Sequence, residues 1–168
     1  MRKMLRFISL SVMMAIFAVS ARAQEDSLQR FHVLVPHLAH ELVEATLQAC
    51  EKDGFQVAVA VVDRFGVPQA LLRNRFAGPH TPKTAIRKAY TAISFRSNTL
   101  DLIEPTQSGS PQSGARNIDH VLMLGGGLVI EAAGEMLGGL GISGAPSGED
   151  DEACGQKGLD AIADKLPF

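Results

Sequence analysis

The sequence predicts an α+β domain, an antiparallel sheet of about five strands flanked by helices. Three observations predict it. The apolar runs Val57–Val62 and Val67–Leu72 flank Asp63-Arg64-Phe65-Gly66, a turn sequence with a glycine placed for positive φ, and so read as a β-hairpin. Helical spacing of apolar residues recurs after Pro36, after Thr81-Pro82 and after Ser147. Between the last two lie three short apolar runs joined by glycine-rich turns, a meander whose connections make chain neighbours antiparallel. The order is helix, hairpin, helix, three-stranded meander, helix.

Pro36 suits the first position of a helix, where its missing N–H costs nothing. Leu38, Leu42, Ala45 and Ala49 share one side of that helix, His37, His40 and Glu44 the opposite side, and Gly54 ends it. The nearly unbroken apolar character of Val57–Val62 predicts a central strand covered on both faces. Thr81 is the expected N-cap of the second helix, with Pro82 next and Ala85, Ile86, Ala89 and Ile93 spaced along it to Phe95. Leu100–Glu104 adds a short helical turn before Pro105, and Thr106–Gly114 reads as a flexible loop. Val121–Leu124, Leu128–Glu131 and Glu135–Ile142 are the meander, with a tight turn at Gly125-Gly126-Gly127 and another at Ala133-Gly134. Ser147 caps the last helix with Asp150 three residues on, and Glu149 to Glu152 load its first turn with negative charge. That helix runs toward Lys165.

The first 23 residues read as a signal peptide: a basic start (Arg2, Lys3, Arg6), the uncharged apolar run Phe7–Val19, and the small-x-small site Ala21–Ala23. The run is shorter than the roughly 20 residues a bilayer span needs. Cleavage after Ala23 implies an exported, periplasmic or secreted protein with no stable membrane insertion, a leader over 24–32, and one domain over 33–168. Cleavage removes four of the sixteen basic residues, leaving twelve Lys and Arg against eighteen Asp and Glu. An acidic domain lacks the basic footprint of a nucleic-acid binder. The two cysteines, Cys50 and Cys154, fall in helical segments that could lie on the same side of the sheet. Their positions leave a disulfide and two buried free thiols both open.

Several patterns are excluded by context. Gly139-x-Gly141-x-x-Gly144 matches the dinucleotide-binding pattern by letter, but no strand–helix–strand unit surrounds it. Strand glycines more often admit a close backbone. No Lys-Ser/Thr pair follows Gly125–Gly127, so a P-loop is excluded. Asp119-His120 with Ser143 or Ser147 lacks the elbow that exposes a hydrolase nucleophile. His37, His40 and Glu44 stand at i, i+3 and i+7, within reach of a shared metal if a further donor comes from elsewhere; a wet helix face is the simpler explanation. The second helix concentrates Lys83, Arg87 and Lys88, with Arg96 just after it and the only tyrosine, Tyr90, among them. This is either a solvated face or a seat for a carboxylate-bearing ligand.

The stretches "VAVAVVDRFGVPQALLR", "GPHTPKTAIRKAYTAISF", "LGGGLVI" and "GGLGISGAPSGEDDEACGQKGLDAI" closely resemble the GlcG/HbpS-like family, which includes secreted haem-binding proteins and the C-terminal domain of PduO-type proteins. The resemblance runs from about Val33 to Ile162. It implies a five-stranded antiparallel sheet with helices, assembly into homo-oligomers, and haem or a related tetrapyrrole as ligand. It further implies a role as buffer, carrier or sensor component, in some relatives with a partner sensor kinase. Haem-degrading or other small-molecule chemistry is the enzymatic alternative, and a different small organic acid or metabolite is the alternative ligand. No catalytic residue is assigned. By the same resemblance a hydroxyl after the second helix, Thr99, or the motif histidine, His80, is the candidate iron ligand, and Asn98 replaces a proline common there. Lys83, Arg87, Lys88, Tyr90 and Arg96 complete the implied cofactor-binding set, since a flat apolar disc with two propionates needs cations beside an apolar ledge.

Overall fold

Five residues in a row, Ala58 to Val62, are fully buried in β1 (Ala58–Asp63), as expected of a strand covered on both faces. The computed structural model describes residues 28–166; all elements below lie in the compact unit that begins at His32, residues 28–31 belonging to an N-terminal unit. The expected signal peptide lies outside the described residues. β1 turns into β2 (Pro68–Arg73) through Gly66, whose φ of 85° is left-handed, while Asp63 Oδ1 accepts the N–H groups of Phe65 (2.8 Å) and Val67 (2.9 Å). β3 (Gly127–Ala132) and β4 (Glu135–Ser143) form the second hairpin, turning at Ala133 and Gly134 with φ of 50° and 74°. The sheet order is β2-β1-β4-β3, antiparallel throughout.

Four strands stand where five were expected. Val121–Leu124 is apolar yet unpaired, because the outer edge of β3 is already covered. The N–H of Gly127 donates to Thr99 Oγ1 (2.8 Å), that of Val129 to Asn98 Oδ1 (3.0 Å), and Thr99 N donates to the Gly127 carbonyl (2.8 Å). The 98–99 turn thus takes the edge groups at the start of β3, where a further strand would have to begin pairing. Val121–Leu124 instead crosses the helix Thr81–Phe95, the Leu122 N–H bonding Thr91 Oγ1 at 2.8 Å.

Here α2 is Thr81–Phe95, alone on one face of the sheet; α1 (Pro36–Lys52) and α3 (Gly148–Ala161) share the other. The larger core lies under α1 and α3: Leu42, Val43, Val59, Val61, Leu140 and Ile142 are among its fully buried members. The buried stripe of α1 is Ala39, Leu42, Val43, Thr46 and Cys50, rotated slightly from the predicted one, which leaves Leu38, Ala45 and Ala49 half-buried. On the other face α2 sets Ala85, Ala89 and Ile93 against Ala58, Ala60 and Val62. Glycines let it lie flat: a Cβ at Gly141 would stand 2.0 Å from the Ala85 carbonyl oxygen, and one at Gly139 2.6 Å from that of Ala89. The glycine-rich stretch is therefore a bed for a helix.

The N-cap of α2 is His80, one residue earlier than expected; its carbonyl accepts the Thr84 N–H, and Thr81 Oγ1 donates to the Gly78 carbonyl at 2.8 Å. Ser147 caps α3 as predicted, accepting the Asp150 N–H (3.1 Å) and donating to Asp150 Oδ2 (2.9 Å). The helix ends at Ala161, and Lys165 closes a separate 3-10 turn, Ala163–Lys165. Leu100–Glu104 is a run of turns, and a 3-10 helix, Ser113–Asn117, follows the loop. Among the described residues no helix is long and apolar enough to cross a membrane.

Candidate functional site

The start of α2 and the loop from Ser143 to Gly148, between β4 and α3, face each other across an open cleft of about 670 Å³. That volume falls in the range of small-molecule sites, roughly 300–1,000 Å³. Position within α2 decides what the helix contributes. His80, Thr84, Arg87 and Lys88 recur at i, i+4, i+7 and i+8 and line the cleft. Phe76, Ile103, Leu122 and Leu124 supply apolar surface, with Phe76 79% and Leu124 49% exposed.

The floor is an ion pair. Lys88 Nζ donates to Asp151 Oδ2 at 2.6 Å, each side chain only 4% exposed. Asp151 Oδ1 accepts the Ala145 N–H at 3.0 Å, so one carboxylate ties the cleft loop to α2. Burial pushes the Asp151 carboxyl above its ordinary value, against the pull of the Lys88 ammonium. Gly126 (φ 102°) admits the pair: a Cβ there would stand 2.6 Å from Asp151 Cβ and 3.0 Å from Lys88 Nζ.

Of the seven cofactor-binding residues drawn from the sequence, three meet in the cleft: His80, Arg87 and Lys88. The His80 ring is exposed and packs over Gly78. Arg87 is braced, Nε donating to the His120 carbonyl (3.3 Å) and Nη2 to that of Val121 (2.6 Å). Lys88 is committed to Asp151, so it does not present a free cation. Lys83 points from another side of α2 and is exposed, as is Arg96, which ends the helix in a left-handed conformation (φ 52°). Tyr90 packs beside Gly66 and meets His120 edge-on, ring centroids 6.1 Å apart. Thr99 is fully buried, its hydroxyl accepting from Gly127, and is not part of the cleft wall.

His37, His40 and Glu44 are exposed on α1, and among the described residues no three His, Cys, Asp or Glu side chains converge as a metal site. The trio therefore does not make a centre within one chain. Ser143 and Ser147 line the cleft, but the Ser147 hydroxyl is held in the α3 cap, and His120 lies against Tyr90. No serine–histidine hydrogen bond forms among the described residues.

Sequence reasoning missed Asp151, Phe76 and the wall of Leu122 and Leu124. Asp151 did leave a signal. It shares a helical stripe with Cys154, Gly155 and Gly158, all buried, and an aspartate on a buried stripe calls for a partner. Nothing in the spacing said that the partner lay 63 positions away.

Fold and cleft together define a small layered domain, one antiparallel sheet between a helix pair and a single glycine-bedded helix, with a solvent-open cleft. Residues 34–160 match the family model described as haem degrading protein HbpS-like, and the chain belongs to that family. It superposes on a crystal structure of HbpS with a TM-score of 0.75 and 36% identity, covering 80% of this chain and 94% of that one. A PduOC:heme complex superposes with a TM-score of 0.73 and 30% identity over 77% of this chain and 95% of that one. In sequence it is 30% identical over 128 residues to the corrinoid adenosyltransferase PduO of Salmonella typhimurium, 75% of this chain but 38% of that protein, so it spans little more than a third of that relative.

Proposed function

We propose that the cleft binds haem or a related tetrapyrrole, and that the protein is an exported, homo-oligomeric haem buffer, carrier or sensor component. The observation that carries the reading is the joint placement of His80 and Arg87 beside the apolar wall of Phe76, Leu122 and Leu124. A haem needs those three features: an apolar flank, a cation for a propionate, and a donor to iron. His80 would offer an imidazole nitrogen, Arg87 a propionate contact, and the wall the macrocycle's flank. Glu149 on the rim opposes the anionic groups, and Lys88 and Asp151 offset one another, so the propionates belong on the Arg87 side. The haem complex of the PduO-type relative supports the ligand. The basic start and apolar run of the first 23 residues support export. A sensor-kinase partner belongs to the same reading.

The family's description favours one second reading, haem breakdown in the same cleft. Hemin titration of the purified protein tests both. Binding gives a saturable Soret shift at micromolar hemin that persists under peroxide or reductant; breakdown bleaches the band as product forms. A small organic acid as ligand predicts no saturable shift.

A further inference from the structure

The helices α1 and α3 run antiparallel along a seam set by three contacts. Lys165 bonds Glu41 near the start of α1, and Lys157 Nζ bonds Asp53 Oδ2 at its end (2.6 Å). Between them Gly158 rests directly on Thr46: a Cβ at position 158 would stand 2.8 Å from Thr46 Cβ and 2.9 Å from its Cα. One turn on from Thr46 is Cys50, and one turn back from Gly158 is Cys154. In antiparallel helices those two positions oppose one another across the seam. Both cysteines are free and fully buried in the same core cluster. A disulfide needs Cα atoms about 4.4–6.8 Å apart, and the glycine-on-threonine contact supplies the close backbone approach.

We propose that Cys50 and Cys154 are a dithiol–disulfide site that staples α1 to α3 within one chain. The oxidant class is a disulfide, small or carried by a protein. The Cys154 thiolate attacks one sulfur of that disulfide and expels a thiolate. Cys50, losing its proton, then attacks the Cys154 sulfur and expels the second thiolate. Two protein S–H bonds are replaced by one S–S bond, the oxidant is reduced to two thiols, and the two protons pass to them. The order follows from the local chemistry. The facing Cys50 thiol, with Lys157 one turn on, holds the Cys154 thiol down, while the facing Cys154 thiol and burial push that of Cys50 up. A groove of about 270 Å³ with Lys52 and Lys157 on its walls, Lys157 shared with Asp53, runs along the outside of the seam. The site is independent of the haem reading.

The test refolds the reduced, urea-unfolded full chain in a buffer of reduced and oxidised glutathione, so that burial does not limit access. After acid quench, the mass should be two hydrogens lower, with a Cys50–Cys154 linked peptide and no thiol reactive in denaturant. The oxidised protein should melt at least about 5 °C higher, and reductant should reverse both changes. Two alkylatable thiols in the refolded protein, glutathione adducts alone, or disulfides only between chains would each overturn the proposal.

Discussion

Lys88 and Asp151, 63 positions apart in the chain, meet at 2.6 Å beneath the cleft, and Asp151 also holds the Ala145 N–H. The pair joins the helix on one face of the sheet to the first turn of a helix on the other. Removing the cation alone leaves a buried carboxylate with one backbone donor. Lys88→Met is therefore expected to cost about 3–5 kcal/mol by urea denaturation. Asp151→Asn keeps an acceptor for Ala145 but strands the buried Lys88 ammonium, and is expected to cost as much, about 3–5 kcal/mol. The double variant Lys88→Met/Asp151→Leu should regain most of the Lys88→Met loss. A double variant no more stable than Lys88→Met would contradict this account of the pair.

The same site makes a pH prediction. The folded Asp151 carboxyl titrates above its ordinary value of 3.8, so between those two points the folded state holds the proton more readily than the unfolded chain. Its contribution is full below the ordinary value and is lost as pH rises through the raised one. Lys88 opposes the rise, so its removal extends the window upward. Acidification from pH 7 to about pH 5 should thus stabilise Lys88→Met relative to wild type, read as the shift in urea midpoint.

Gly141 tests the bed of α2. Alanine there would place Cβ 2.0 Å from the Ala85 carbonyl oxygen, inside any permitted contact, so the helix must lift. The expected cost is about 3 kcal/mol, the upper end for overpacking. Gly114→Ala, with nothing within 4 Å, should stay within about 0.5 kcal/mol of wild type in the same assay.

Thr99→Ala removes the acceptor of the buried Gly127 N–H and should cost about 1–3 kcal/mol, with Thr99→Ser restoring most of it. Neither variant should change the Soret maximum of the hemin complex. A changed Soret band in Thr99→Ala that returns in Thr99→Ser would move the iron ligand from His80 to Thr99.

What could be read ahead of the structure was whatever depends on short stretches of chain. Asp63–Gly66 turns as its residues demand, Ser147 and Asp150 form their cap, and Gly139 and Gly141 clear space as strand glycines do. What could not be read depends on which stretches meet. Val121–Leu124 has the composition of a strand, but the edge it would join is occupied by Asn98 and Thr99, side chains from another part of the chain. Asn98 bonds Val129 through its amide oxygen, a contact across 31 positions that no local pattern announces. The basic residues of α2 were legible as a cluster but not as a shared site, because helix geometry sends Arg87 to the cleft, Lys88 beneath it and Lys83 to solvent.

The measurement that bears most directly on the cleft is hemin affinity in four proteins: wild type, His80→Ala, Leu124→Glu, and Val67→Glu, the last at an exposed hairpin position that is not among the cleft residues. Haem seated in the cleft predicts at least about tenfold weaker binding for Leu124→Glu and an altered Soret band for His80→Ala, with Val67→Glu matching wild type. Wild-type affinity and spectra in both cleft variants would contradict it.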